Sequence, residues 1–312
     1  MAQKVILIAD PGIDTAFAVA LALFDPRLEV LALAPTAGNV VSQQATVNVH
    51  TLVAQLDPPR WPRLGAALPV KYDVDGRQLH GTDGLGNAKF PEVSLHAPQH
   101  SDKLIVELVN KHPNDVTIIC MGPPTTLQSA LHREPALAGR VHRVILLGGA
   151  WREPGNATAA AEFHFYCDPE AAREVLHSKL PITLVPLDVM RKIVFSPSDL
   201  LELPSPECRV SKFLRQIVPF GIRACSNIYG IEGFPMKDVM GVVAKVLPQA
   251  ISTRSVYVDV ETRGEITRGM SIVDTRVNPE QKPNVEIVTN VDVNLVRKYI
   301  FDTLRNVGAA DE

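Results

Sequence analysis

Asp10 and Asp14 stand on either side of Pro11-Gly12-Ile13, directly after the apolar run Lys4–Ala9 and at the start of a helical pattern. The turn folds the two carboxylates towards each other. Like charges that close repel unless a cation or partially positive donors lie between them. Oxygen ligands suit a hard cation such as Ca2+, which takes six to eight oxygens and accepts main-chain carbonyls. The alternative is structural: Asp14 caps the helix and Asp10 sits in a turn. Other polar groups follow other apolar runs. They are Thr36-Ala37-Gly38-Asn39, Gly122-Pro123-Pro124-Thr125-Thr126, Gly148-Gly149, Gly155-Asn156 and Glu162-Phe163-His164.

These residues meet only if the apolar runs are strands of one sheet. Lys4–Ala9, Leu28–Pro35, Val116–Met121, Val144–Leu147 and Ile182–Pro186 read as strands. Helical patterns over Asp14–Phe24, Val41–Leu56, Asp102–Lys111, Thr125–Leu131 and Pro169–Ser178 alternate with them. The alternation predicts βαβ units around a mainly parallel sheet with helices on both faces. Ligands of such sheets bind beyond the carboxyl ends of the strands, where the polar groups above stand. Later, Ser211–Asn227 reads as a helix with a break or kink at Pro219, and Asp238–Leu247 as another helix. Ser255–Val260 and Asn284–Val288 read as strands, and Val291–Val307 as a closing helix. The proline-rich stretches Pro58–Pro62 and Pro279–Pro283 read as loops or turns, so residues 1–312 are taken as a single domain.

Composition narrows the function classes. The 312 residues are 46% hydrophobic and 21% charged, ordinary for a globular chain and unlike collagen, a coiled coil or a disordered segment. A chain this long buries roughly 75% of its unfolded surface and needs no disulfides. With 31 Lys+Arg against 34 Asp+Glu the net charge is -3, which argues against nucleic-acid binding driven by counterion release. Cys120, Cys167, Cys208 and Cys225 form no CxxC pair, consistent with a reducing compartment. The start of the chain lacks a signal-peptide pattern, and the run Ala16–Phe24 is too short to span a bilayer. A cytoplasmic protein without membrane contact is expected.

Read in order, the motifs resemble one family. Asp10-Pro-Gly-Ile-Asp14 is similar to the aspartate-rich N-terminal motif of the inosine–uridine-preferring nucleoside hydrolases. Ala37-Gly38-Asn39-Val40, His80-Gly-Thr-Asp-Gly-Leu-Gly86 and Gly122-Pro-Pro-Thr125 follow in order. Then come Leu147-Gly-Gly-Ala150, Gly155-Asn156, Ala161–Ala172, Leu187-Asp188-Val189 and Lys237-Asp238. The resemblance implies an open α/β fold and cleavage of a ribonucleoside into ribose and free base, within purine or pyrimidine salvage. It further implies Ca2+ at the bottom of the pocket, a small-molecule nucleoside as partner, and a homodimer or homotetramer. Asp10, Thr15, the main-chain carbonyl of Thr125 and Asp238 fall at the metal-ligand positions. Asp14, Asn39, Asn156, Glu162, His164 and Asp238 fall at the ribose positions, and His80, Tyr229 and Lys237 where the leaving base is contacted. Asp10 would then take the proton of a Ca2+-bound water, and His80, titrating near neutrality, could assist the departing base.

Four residues depart from the family pattern. Ile8 and Thr15 replace aspartates, His164 an asparagine, and Lys237 a histidine. Thr15 removes a charged ligand and should weaken calcium binding. Lys237 is a poor acid at neutral pH, and its cation could fill part of the role a metal plays elsewhere. The rival reading is a nucleoside-binding relative with little hydrolase activity. A phosphatase with Asp10 as nucleophile is disfavoured, because the needed second carboxylate is absent at Gly12. Of the remaining residues, His80 is expected in a mobile glycine-rich loop over the pocket. Asp168 is expected to cap the helix after it, and Asp188 to be structural. Trp61 and Trp151 are candidates for surface or oligomer contacts.

Overall fold

The computed structural model describes residues 2–310 of the chain. Strands are numbered in chain order: β1 Gln3–Ala9, β2 Leu28–Pro35, β3 Arg63–Leu64, β4 Val116–Met121, β5 Arg143–Leu147 and β6 Ile182–Val185. Next come β7 Val194–Phe195, β8 Phe234–Pro235, β9 Ile251–Val260, β10 Ser271–Asp274 and β11 Val285–Val291. Nine of these form one sheet in the order β10-β9-β11-β6-β5-β4-β1-β2-β3, and β7 pairs with β8 separately. Every pairing from β3 through β11 is parallel, and only β9 and β10 join antiparallel. The fold is a single α/β domain, as the alternation of elements predicts.

Strand β1 shows why the sheet lies inside. Val5–Ala9 are fully buried, and successive side chains point to opposite faces. Val5, Leu7 and Ala9 enter one hydrophobic core, while Ile6 and Ile8 enter the other. Burial on both faces explains the lack of polar alternation. The chain winds outward from β1 through β2 and β3, then returns to place β4 on the other side of β1. That reversal opens a crevice at the carboxyl ends of β1 and β4.

The Ile13–Phe24 helix leaves β1 across Pro11-Gly12 and is covered nearly all round. Ile13 through Ala22 are buried, Asp14 and Thr15 included. It packs against the Val239–Val246, Arg209–Tyr229 and Val293–Ala310 helices. An all-apolar helix in the interior is what its composition requires. Its first-turn polar groups are thereby delivered into the crevice without water around them.

Two expectations change in the C-terminal half. Pro219 does not break its helix, which runs unbroken over Arg209–Tyr229. The lost interior hydrogen bond is offset by the buried face of Phe213, Leu214, Ile217 and Val218. The strand expected at Ser255–Val260 begins at Ile251, and β10 was not foreseen, since its four residues show little alternation.

Asp25 ties the interior helix to the C-terminal one. It is buried, accepts two bonds from the Arg27 guanidinium at 2.9 and 2.6 Å, and takes the Tyr299 hydroxyl at 2.9 Å. Burial alone would raise its pKa, but Arg27 and Tyr299 outweigh it and hold the carboxyl below its usual value. A depressed folded pKa contributes stability above the unfolded pKa of about 3.9 and loses it on acidification. Asp25→Asn is expected to cost about 1–3 kcal/mol at pH 7, with the difference from wild type closing below about pH 3.9. Urea denaturation across pH measures this, and a constant difference would count against the assignment.

Candidate active site

The site is assembled where β1 and β4 end. The Asp10 N–H donates to Met121 O at 3.4 Å, and Thr36 N–H donates to Ala9 O at 2.8 Å. The loops after β1, β2 and β4 are thus bound edge to edge. Asn39 Nδ2 donates to the Asp10 carbonyl at 2.8 Å. The glycines around Asp10 are needed for close approach. A Cβ on Gly38 would lie 2.3 Å from Asp10 Oδ2, and one on Gly122 3.1 Å from Asp10 Cβ.

Four carboxylates converge here, those of Asp10, Asp14, Glu162 and Asp238, each at most 2% exposed. Each has its own compensation. Glu162 Oε2 accepts the N–H groups of Gly149, His164 and Phe165 at 3.0, 3.0 and 3.3 Å. The Thr15 hydroxyl donates to Asp238 Oδ2 at 2.6 Å. Lys237 Nζ lies 3.6 Å from Asp14 Oδ2, and His164 Nε2 lies 3.6 Å from Asp10 Oδ2. Both Asp10 oxygens are buried and make no hydrogen bond.

Titration follows from these contacts. Burial raises the Asp10 pKa, only partly countered by His164. Burial, then the nearby Asp14 and Asp10 charges, push Asp238 well above the carboxylate range. Burial also opposes charge on Asp14, but the Lys237 ammonium prevails and its pKa falls. Burial disfavours a charged His164, yet Glu162 and Asp10 outweigh it and lift its pKa to about 10. His164 Nδ1 stands 3.1 Å from Leu147 O, a geometry in which the ring donates.

His80 differs from its expectation. It ends a short helix, Arg77–His80, and is buried. Gly81, Gly84 and Gly86 behind it all adopt positive φ, as the glycine-rich stretch predicts. The Ile13 N–H donates to its Nδ1 at 3.1 Å, which places the ring proton on Nε2. Burial lowers its pKa to about 4. His80 is therefore neutral at pH 7 and offers a hydrogen bond rather than a labile proton. Lys237 has its pKa raised against burial by Asp14 and Asp238, so it too stays charged.

The remaining residues divide between the cavity and its frame. A cavity of about 480 Å³ is walled by Leu79, His80, Asn156, Tyr229, Ile231 and Lys237. A polar lobe of about 340 Å³ adds Asn39, Asp73, Asp75 and Phe163. Asp10, Asp14 and Asp238 stand behind this wall. Asn39 and Lys237 both line the lobe and reach those carboxylates' residues. Tyr229, half-exposed, ends its helix at the mouth. Asn156 Oδ1 accepts the Phe163 N–H at 2.9 Å. The Thr125 hydroxyl donates to Asp168 Oδ2 at 2.6 Å and meets the Tyr72 hydroxyl at 2.7 Å. Tyr72 and the apolar wall residues carried no sequence signal, because their role exists only through distant contacts. Asp168 caps its helix through the Ala171 N–H, and Asp188 accepts the Trp151 and Arg152 N–H groups, both structural as expected. Trp61 is exposed, and Trp151 stacks under the Arg152 guanidinium at 4.2 Å.

Comparison with known proteins decides the family. A family model described as inosine-uridine preferring nucleoside hydrolase matches residues 5–298. The chain belongs to this family. The pyrimidine-specific ribonucleoside hydrolase RihA of Salmonella enteritidis PT4 is 32% identical over 297 residues, covering 94% of this chain and 95% of that protein. Among solved structures, a purine-preferring ribonucleoside hydrolase from Gardnerella vaginalis has a TM-score of 0.91 at 25% identity, covering 99% of this chain and 100% of that one. The plant nucleoside hydrolase PpNRh1 has a TM-score of 0.90 at 29% identity, covering 98% and 99%. By family this chain is a nucleoside N-ribohydrolase.

Within this nucleoside hydrolase the donor set does not match the calcium expectation. Among the described residues no three His, Cys, Asp or Glu side chains are grouped to hold a metal ion. Of the expected ligands, the Thr15 hydroxyl is turned to Asp238. Two side-chain cations already face the carboxylates. At Thr15 a neutral hydroxyl, already donated to Asp238, stands where a charged ligand is expected, and affinity for a hard divalent ion falls with the charge of its ligands.

Displacing Asp10 tests the geometry. Gly38→Ala would drive a methyl into its carboxylate. Base release is expected to fall about 100-fold, as misplacement of a reacting group by an ångström does. Chromatographic assay beside circular dichroism checks it, and an unchanged rate would mean that Asp10 is not at the reacting centre.

Proposed function

We propose that this enzyme hydrolyses the N-glycosidic bond of a ribonucleoside or related N-ribosyl compound, releasing ribose and free base. The observation that carries the reading is the buried Asp10 carboxylate, free of hydrogen bonds, behind Asn39, which lines the polar lobe and donates to the Asp10 carbonyl. Cleavage needs a water oxygen to bond the anomeric carbon as the electrons of the C–N bond leave on the base. Asp10 takes the water's proton. Its raised pKa makes it a stronger base than an ordinary carboxylate once ionised.

The polar lobe receives the ribose. Asn39, Asn156, Asp14, Glu162 and Asp238 supply oxygens and amides for its hydroxyls, and His164 donates from its ring. Lys237 lines both lobes. Negative charge around the ring stabilises the cationic ribosyl transition state. The base sits in the apolar lobe against Leu79, Ile231 and Tyr229. It departs with its charge facing the Lys237 ammonium and the His80 Nε2–H. Neither group releases a proton at neutral pH, so stabilisation of the leaving group is electrostatic.

The proposal extends to a cytoplasmic role in nucleoside salvage as a homodimer or homotetramer. No disulfide joins the four cysteines among the described residues, and all four are buried, which suits a reducing compartment. No helix among the described residues is long and apolar enough to cross a membrane. Light scattering on the purified chain reports the assembly, and a monomer would contradict that part.

Asp10→Asn is expected to lower base release at least about 100-fold while the protein stays folded. In the wild type the active form is the deprotonated one. The rate should fall on acidification with a midpoint above about 3.9, the ordinary aspartate value. Chromatography over purine, pyrimidine and modified nucleosides measures both. Intact nucleoside throughout would favour a binding protein with a silent active site.

A further inference from the structure

The carboxylate cluster lies out of water, and four negative charges cannot stay there without compensation. The compensation is distributed one partner to each group. Three main-chain N–H groups hold Glu162, and a hydroxyl holds Asp238. The remaining two carboxylates have cations. Lys237 Nζ stands 3.6 Å from Asp14, and its stem is mostly covered. The His164 ring lies between oxygen atoms on both sides. Its Nδ1 is 3.1 Å from Leu147 O and 3.7 Å from Glu162 Oε1, and its Nε2 is 3.6 Å from Asp10 Oδ2. A ring with an oxygen acceptor at each nitrogen is placed to carry both protons, as an imidazolium does. The third candidate cation is absent, because His80 spends its Nδ1 lone pair on the Ile13 N–H.

The geometry points to a metal-independent nucleoside hydrolase, in which Lys237 and His164 hold the positive charge over Asp14 and Asp10 that a divalent ion would otherwise bring. This rests on the hydrolase reading above and deepens it. The two cations are tethered about the carboxylates from different elements. Lys237 comes from the stretch before the Val239–Val246 helix, and His164 from the short Phe163–Cys167 helix. Neither Asp10 oxygen makes a hydrogen bond, so its lone pairs are open. Side-chain cations at 3.6 Å leave them open. The ribose diol is then gripped by amides, carboxylates and an ammonium.

Calorimetric titration of the chelator-treated full chain with calcium chloride tests this without relying on catalysis. No heat of binding is expected up to about 1 mM calcium, the weak end of protein calcium sites. Base release should be the same with and without chelator. The double variant His164→Asn/Lys237→Met strips both cations and is expected to gain at least about tenfold in calcium affinity, since affinity follows the charge of the site. Calcium binding to the wild type below about 1 mM would overturn the proposal, as would a folded double variant with no gain. Should the double variant not fold, the wild-type titration and Lys237→Gln alone carry the test. A chain that binds no calcium and releases no base from any nucleoside would sink the hydrolase reading and leave the charge assignment standing.

Discussion

The central constraint is electrostatic: four carboxylates sit where water does not reach. Solvation lost on burial must be replaced by fixed donors or cations, or the groups take up protons instead. Both responses occur. Asp14 keeps its charge beside Lys237, whereas Asp10 and Asp238 are pushed towards protonation. Glu162 is held instead by three main-chain N–H groups, so the four neighbours meet the same constraint in different ways. Such divergence of neighbouring titrations is the usual mark of a working acid–base site.

The fold creates this constraint. A sheet buried on both faces delivers Asp10 at the end of β1, and an apolar helix sealed by three others delivers Asp14 and Thr15. The switch in strand order at β1 and β4 opens the only kind of crevice where loops from both sides can meet. Glycines at 38 and 122 let those loops touch the Asp10 side chain. Packing is tight there, since a methyl at Gly38 would meet the Asp10 carboxylate and one at Gly122 would meet Thr36 and the Asp10 Cβ.

The departures from the family pattern are mutually consistent. Thr15 removes one negative charge from the cluster, while His164 and Lys237 each add positive charge. All three changes move the local balance in one direction. The contacts show where each ends: a hydroxyl on Asp238, a ring facing Asp10, and an ammonium facing Asp14. Relatives of opposite base preference share this fold.

Much of this was legible in the residues alone. The alternation of apolar runs and helical patterns determined a parallel α/β sheet, because strands buried on both faces and helices buried on one have distinct periods. The ordered motifs pointed to Asp10, Asp14, Asn39, Glu162 and Asp238 as neighbours. Short edge strands such as β3 and β10 were not legible, since two to four residues carry no period. Pro219 does not break its helix, because tertiary burial outweighs its helix-breaking cost. Protonation belonged to the tertiary structure entirely. His80 reads as a titrating loop histidine in sequence, but burial and one main-chain N–H make it neutral. His164 reads as a substitution for a ribose ligand, and its carboxylate neighbours make it a cation. Residue types set which charges exist. Only the folded chain, by excluding water and choosing neighbours, decided which of them persist.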